Sequence, residues 1–250
     1  MATQRRRTRT RRSGKRPLTS RLRRLALWSL GLAATVFVVV QFWFLAHILW
    51  WTRFDPPSTQ VMRAEVARLA RQAPRVRVRQ VWVPYARIST HLGRAVIAAE
   101  DARFTDHVGV DWQAIEDAYL QNLKRGRVVR GGSTITMQLA KNLFLSGERS
   151  YLRKAQELLI TWMIEATMSK RRILEIYLNV AEWGVGVFGA EAAARHYFGV
   201  GASALEASQA ARLAAMLPNP RHFDRHRDSV LLGRRARMIA RGMVIVSAPR

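Results

Sequence analysis

The sequence predicts a mainly α protein preceded by one N-terminal transmembrane helix. Leu25 to Thr52 carries no formally charged residue and is longer than the roughly 20 apolar residues a bilayer crossing needs. Beyond Pro84 the chain is a series of segments with helical apolar spacing, separated by Gly, Pro and capping residues. Strand-like alternation is confined to R-V-R-V-R-Q-V-W-V, Arg75 to Val83.

Charge divides the chain before any motif does. Eleven basic residues and no acid fall in the first 24 positions, and this stretch is too self-repelling to pack. Removing those eleven from the net +25 still leaves +14, so the remainder favours polyanionic partners such as phosphates, anionic lipid or nucleic acid. Nucleic-acid binding by charge alone is the weaker account of the tail, because an apolar run follows it directly. Trp28 near one end of that run, and Trp50 and Trp51 at the other, sit where interfacial aromatics sit. The positive-inside rule places Arg5 to Arg24 in the cytoplasm and the chain after Arg53 on the outer face. The domain expectation is therefore a basic cytoplasmic tail over 1–24, a transmembrane helix over 25–52, a juxtamembrane linker over 53–80 and a mostly helical domain over 81–250. With no cysteine in the chain, disulfides and thiolate metal sites are excluded.

Within the linker, Thr59 to Gln72 reads as a helix, with Val61, Met62, Val66 and Leu69 near helical spacing. The domain itself reads as helices over Leu92 to Ala99, from an Asp111 N-cap to about Lys124, from a Ser133 cap through Leu143, and over Arg149 to Lys170. Arg171 to Val180, Ala190 to Phe198, Ala204 to Leu217 and Val230 to Val246 follow, with Pro218 and Pro220 as stops.

The stretch A-A-E-D-A-R-F-T-D-H-V-G, Ala98 to Gly109, organises the rest. Glu100 and Asp101 close a helix, where the macrodipole is already negative, so helix stability does not account for the pair. A carboxylate held there in a partly apolar setting beside Phe104 can have its pKa raised and act as a proton acceptor. A solvated helix end is the bland alternative.

Two basic or glycine-rich constellations follow. R-G-G-S-T-I-T-M-Q-L-A-K-N-L-F-L, Arg130 to Leu145, reads either as an ordinary turn and cap or as an anion site of backbone N–H groups and the Ser133 and Thr134 hydroxyls. Gln138 and Lys141, three apart, share a helical face with it. In R-S-Y-L-R-K-A-Q-E, Arg149, Arg153 and Glu157 recur every fourth residue, with Lys154 three before Glu157. This is either a solvated row of ion pairs or a cationic clamp for phosphate; spacing alone favours the row.

Taken in order, E-D-A-R-F-T-D-H-V-G, G-G-S-T-I-T-M-Q-L-A-K-N-L-F-L, R-K-A-Q-E and K-R-R-I-L-E-I-Y-L-N resemble the successive motifs of the peptidoglycan glycosyltransferases, glycosyltransferase family 51. The resemblance covers roughly Val81 to Phe223. G-V-F-G-A-E-A-A-A-R-H-Y-F-G and L-P-N-P fit its monofunctional form, which lacks a penicillin-binding transpeptidase module. It implies a lysozyme-like helical lobe with a smaller membrane-associated jaw, and polymerisation of lipid II onto a growing lipid-linked glycan. By the same resemblance Glu100 is the catalytic base and Glu157 a second catalytic glutamate. Lys141, Arg149, Arg153 and Lys154 face the leaving pyrophosphate, while Ser133, Gln138 and Asn142 position donor sugar or phosphate. Asp101, Phe104 and His107 join them as substrate-binding candidates.

No cofactor is required and no residue is assigned to a metal, although the resemblance allows a divalent cation, Mg or Mn, on the pyrophosphate. The expected partners are lipid II, the membrane and other cell-wall synthesis proteins, and not nucleic acid. The expected location is the bacterial inner membrane with a periplasmic catalytic domain. Met137 stands where the family pattern has the first of two glutamines, which questions one polar contact. Glu175, Asn179, Arg171 and Arg172 read as a structural brace. Two other functions compete: a muramidase on the same scaffold, which would have no pyrophosphate to neutralise, and a non-enzymatic nucleic-acid binder.

Overall fold

The structure, a computed structural model, describes residues 18–72, 75, 77–126, 131–145, 147 and 150–249. The chain divides into two compact units, Met1–Phe44 and Leu45–Arg250. Residues 1–17 of the basic tail lie outside the described residues, as does Arg149.

In the first unit, helix α1, Leu18–Trp51, begins ahead of the apolar run that predicts it. Its stretch Arg21–Trp51 is long and apolar enough to cross a membrane. At about 1.5 Å per residue it is longer than the ~30 Å hydrocarbon core. Trp28 is 79% exposed and Phe42 65%, a surface that water would not favour.

The second unit takes up the last turns of α1. Ile48 and Trp51 are buried, and Trp51 stacks on Phe144 at 5.1 Å between ring centroids. Arg172 donates to the carbonyls of Trp51 and Phe54 and pairs with Asp55 at 2.9 Å. Helix α2, Gln60–Gln72, starts where the Thr59 hydroxyl accepts from Met62 N. Met62, Glu65 and Leu69 are buried on one face, whereas Val66 points outward. The segment 53–80 is thus no free linker. Its helix packs into the same unit as the rest of the domain, since buried Glu65 pairs with Arg68 at 2.6 Å and with Arg221 at 2.8 Å.

The domain follows as α3 Thr90–Glu100, α4 Trp112–Arg125, α5 Ile135–Phe144, α6 Tyr151–Thr167, α7 Lys170–Val180, α8 Ala190–Phe198, α9 Ala207–Met216, α10 Pro220–Arg225 and α11 Val230–Gly242. One group packs α3, α9 and α11 together; another packs α5 against α6, α7 and α2. Leu92, Ile97, Ile135, Leu139, Tyr177 and Trp183 are among the fully buried side chains.

Local chemistry sets several boundaries differently from the sequence expectation. The α5 cap is Thr134, whose side chain accepts from Met137 N, and Ser133 is left free of that role. Pro220 starts α10 instead of stopping a helix, because its missing N–H is tolerated at the first helical position. Among the described residues of Arg75 to Val83, only Arg79–Gln80 forms a strand, β1. It pairs in parallel with β3, Val187–Phe188, which pairs antiparallel with β2, Glu182–Gly184.

The brace expected from K-R-R-I-L-E-I-Y-L-N is present with Glu175, Asn179 and Arg172 as members, joined by Val83 and Tyr85. Asn179 exchanges two 2.9 Å hydrogen bonds with the backbone of Val83, and Glu175 accepts from Tyr85 N and Arg172. Arg171 instead lies over the Tyr85 ring. Gly189 adjoins this brace at φ +80°, and a Cβ there would sit 2.6 Å from the Asn179 carbonyl oxygen. Gly189→Ala is expected to destabilise the domain by about 2 kcal/mol or more. Gly199→Ala, at φ +71° but in open space, should cost about 1 kcal/mol, and comparison of the two denaturant midpoints checks this.

Candidate active site

Glu100 is the last residue of α3 and Asp101 its C-cap. Asp101 is buried, and one of its carboxylate oxygens accepts from Ile135 N at 3.1 Å, at the start of α5. The unfavourable charge at one helix end is therefore a favourable charge at the beginning of another. His107 Nε2 bonds the other Asp101 oxygen at 2.9 Å.

With Asp101 so fixed, Glu100 meets the next turn of α5. Gln138 Nε2 donates to Glu100 Oε2 at 2.8 Å, and the Tyr177 hydroxyl donates to Gln138 Oε1 at 2.9 Å. The second bond orients the amide so that its NH2 faces the carboxylate. Burial raises the Glu100 pKa above the ordinary carboxylate value, against the opposing effects of the Gln138 hydrogen bond and the cations Arg235 and Lys141. Phe104 is fully buried in the core, with Lys170 over its ring.

Glu100 opens into a cavity of about 590 Å³. Ser133, Gln138, Lys141 and Asn142 line it from α5 and the preceding turn; Arg153, Lys154 and Glu157 line it from α6. Glu157 is buried and pairs with Arg153 at 2.7 Å and with Lys154. This overturns the solvated-row reading of R-K-A-Q-E, since the row faces a cleft and its carboxylate is out of water. Burial lowers the Lys141 pKa, with Arg153 and Lys154 adding to the effect and Glu157 and Glu100 opposing it. A cation destabilised in this way gains from any anion entering the cavity.

Of the sequence candidates, Glu100, Ser133, Gln138, Lys141, Asn142, Arg153, Lys154 and Glu157 converge on this cavity. Arg149 lies outside the described residues. Asp101 lines a second chamber of about 550 Å³ that shares Glu100, Ser133 and Gln138 with the first. Phe104 and His107 line neither, so they support the site from behind. Met137 is likewise in the core, 2% exposed, so its replacement of a glutamine removes no polar group from the cleft. Tyr177 and Val61 also line the first cavity and were not singled out from sequence. A tyrosine on an otherwise apolar helix face was the available signal, because a buried hydroxyl needs a partner.

A resident divalent cation does not fit these residues. Glu157 is taken by two cations, Glu182 by Arg221 and Glu100 by Gln138. Asp101, His107 and Asp111 bring ligand atoms within 4.8 Å of one another. Asp111 is nevertheless held by Arg103 and Ala114 N, and Asp101 by Ile135 N, so this cluster is a brace.

The family described as Transglycosylase matches residues 66–244. The chain belongs to the transglycosylase family. The transglycosylase domain therefore contains α3 to α11 and most of α2, and has the family's lysozyme-like fold. The chain is 54% identical over 228 residues to the biosynthetic peptidoglycan transglycosylase of Janthinobacterium sp. (strain Marseille), covering 91% of this chain and 99% of that one. It is 56% identical over 218 residues to the protein of that name in Methylobacillus flagellatus, covering 87% and 95%. With that of Bordetella pertussis it shares 56% over 216 residues, covering 85% and 89%.

In the transglycosylase site Glu157 is the carboxylate that sets the positions of two cations. Glu157→Gln is expected to lower stability by about 1–3 kcal/mol, because it leaves Arg153 and Lys154 without their counter-charge. Urea unfolding measures the loss, and Glu157→Asp should recover part of it.

Proposed function

We propose that this transglycosylase polymerises peptidoglycan glycan strands, using lipid II as acceptor and the growing lipid-linked strand as donor. The observation that carries the reading is one cleft holding Glu100, with its raised pKa, together with Lys141, Arg153 and Lys154. The acceptor 4-hydroxyl attacks the donor's anomeric carbon and gives its proton to Glu100. The bond from that carbon to the phosphate oxygen breaks, its electron pair leaves on the lipid pyrophosphate, and the configuration inverts. Negative charge grows on the leaving group, so cations fixed beside it stabilise the transition state more than the ground state.

Glu157 keeps Arg153 and Lys154 in place for that charge, while Ser133, Gln138 and Asn142 hold the sugar or phosphate. Arg149 belongs to the same cationic set by its motif. No step needs a protein-held metal. A muramidase would need the carboxylate and have no use for the cations.

The chain sits in the bacterial inner membrane through α1, with its basic N-terminus in the cytoplasm and the catalytic domain outside. The catalytic domain then extends back to α2, so that a functional boundary falls nearer residue 53 than residue 81. Its nearest partners are lipid-linked glycan, bilayer lipid and other proteins of cell-wall synthesis.

Detergent-solubilised protein incubated with labelled lipid II should form polymer, and Glu100→Gln should lower the rate by about 10²–10⁴-fold while the protein stays folded. Retained activity in that variant would remove the base. Lys141→Ala should weaken binding of a diphosphate-lipid analogue by about 10–100-fold, as expected for loss of a charge-assisted hydrogen bond. Because Glu100 must be ionised to accept a proton and burial raises its pKa, the wild-type rate should fall on the acid side at a pH above the ordinary carboxylate value of 4.5. A flat rate across that region would contradict the assignment.

A further inference from the structure

We propose that the outward face of α11 is a docking surface for an acidic helix of a partner protein, one whose carboxylates alternate with apolar residues along the contact. The proposal goes beyond the polymerase reading and does not depend on it.

The two sides of α11 follow from its sequence, V-L-L-G-R-R-A-R-M-I-A-R-G. With 3.6 residues per turn, Leu232 and Ile239 fall on one side, and these are its buried residues where it packs on α9 and α3. Val230, Leu231, Arg234, Arg237, Met238 and Arg241 fall on the other, and all are exposed. Met238 is 69% exposed, and Val244 and Ile245, in the turn that follows the helix, are 85% and 86% exposed. Single apolar residues on a surface need no explanation, but a run of large ones along one helix and its continuation marks an interaction surface.

The cations of this face serve no carboxylate of their own chain. Arg103, Arg153, Arg172, Arg221 and Arg227 each pair with an acid, whereas Arg234, Arg237 and Arg241 have no ion pair among the described residues. No acid occurs from Ser229 to the last residue, and Asp228, just ahead of the helix, faces Arg212 at 3.9 Å. A helix that only had to be stable would gain from acids at i,i+4 to these arginines, and none is present. The charge is therefore available to a group outside the chain.

The order of residues along the face says what fits it. Leu231, Met238 and Ile245 recur every seventh residue, and Arg234 and Arg241 stand between them. Apolar residues at that interval form a seam for a second helix, and arginines set into the seam call for carboxylates opposite them. A second copy of this chain would place arginine against arginine, so charge opposes self-association through this face. A bilayer surface is a poorer match, because a helix lying in one buries an apolar stripe and keeps its cations to the polar side. Here Arg234 and Arg241 lie between Val230 and the row of Leu231 and Met238, in the middle of the face. The end of α1, moreover, is held by α5 and α7, whereas α11 packs with α3 and α9. The 13 residues of α11 are about 20 Å long, a small contact of the kind transient partners make.

The test uses full-length protein in phosphatidylcholine nanodiscs, with empty nanodiscs as the blank. The probe is a labelled helical peptide of about three heptads with Leu and Glu alternating along one face, beside its Leu and Lys counterpart and a scramble of the Leu and Glu composition. Fluorescence anisotropy should show wild type binding the Glu peptide at least about 10-fold more tightly than either control. Arg234→Glu combined with Arg241→Glu should reverse the preference in favour of the Lys peptide, and Met238→Ser should weaken binding of the Glu peptide without reversing it. Thermal melting confirms that each variant is folded, as expected for exposed positions. Glu-peptide binding that the double reversal leaves unmoved would place the peptide in the cationic cleft and overturn the proposal, as would equal binding of all peptides or of none. A dye on Met238→Cys, the sole thiol the chain would then carry, reads the bilayer alternative. A blue shift when phosphatidylglycerol is added to the nanodiscs, with no peptide present, gives the face to lipid and overturns the proposal. A dimer that the double reversal dissolves gives it to a second copy, with the same result. Lipid II polymerisation is no part of the readout, so failure of the polymerase reading leaves this test standing.

Discussion

The site depends on a junction between two helices. Asp101 ends α3 and, by accepting from Ile135 N, begins α5. A carboxylate at the C-terminus of one helix is repelled by that helix's dipole and attracted by the N-terminal dipole of the other, so the pair is stable only with both ends in place. Its neighbour Glu100 is carried into the partly buried corner where Gln138, one turn into α5, can reach it. Thr134, which caps α5 and also donates to the Gly109 carbonyl, ties the same junction to the loop after Glu100. The backbone N–H of Ile135 thus fixes the helix end that carries Glu100, and the Gln138 side chain, oriented by Tyr177, fixes its carboxylate.

Around that junction the electrostatics are deliberately unbalanced. Asp111 and Asp101 are satisfied, and their role is structural. Lys141, Arg153 and Lys154 share a cavity in which Glu157 is the carboxylate that binds two of them. Of the other carboxylates that line it, Glu182 is paired with Arg221 and Glu100 bonded to Gln138, so Lys141 is left without an ion pair among the described residues, in a partly desolvated space where a cation is less stable than in water. An entering diphosphate relieves this, so the cost is carried by the empty site and recovered in the complex. The same burial that weakens the charge on Lys141 raises the basicity of Glu100, and a single feature of the fold prepares both groups.

Helix positions, and most of the residues that gather at the first cavity, were legible because they rest on local signals: spacing, caps and the order of four motifs. What was hidden required knowledge of which helices meet. Asp101 looked anomalous because its partner, Ile135 N, is 34 residues away. The Arg153 and Glu157 row looked solvated because periodicity does not say which face a neighbour covers. Phe104 and His107 sit in a motif shared with Glu100, but motif membership does not separate a side chain facing substrate from one supporting it from behind. The short sheet was missed because two- and three-residue strands carry no usable period.

The juxtamembrane helix shows how the cleft and the membrane-proximal chain become one mechanical piece. Glu65 of α2 is 1% exposed, a burial that needs compensation, and it has two guanidinium partners, Arg68 and Arg221. Arg221 also pairs with Glu182 on β2, and Glu182, Pro220 and Val61 all line the first cavity. Displacing α2 would therefore strand a buried carboxylate and remove a cleft wall in the same motion. At the other end, Arg172 of α7 holds the last carbonyls of α1 and pairs with Glu175, which in turn accepts from Tyr85 N. α7 also carries Tyr177, whose hydroxyl orients Gln138 toward Glu100. One helix, α7, thus bonds the end of α1 through Arg172 and reaches Glu100 through Tyr177 and Gln138, and the membrane-proximal chain is part of the scaffold around the cleft.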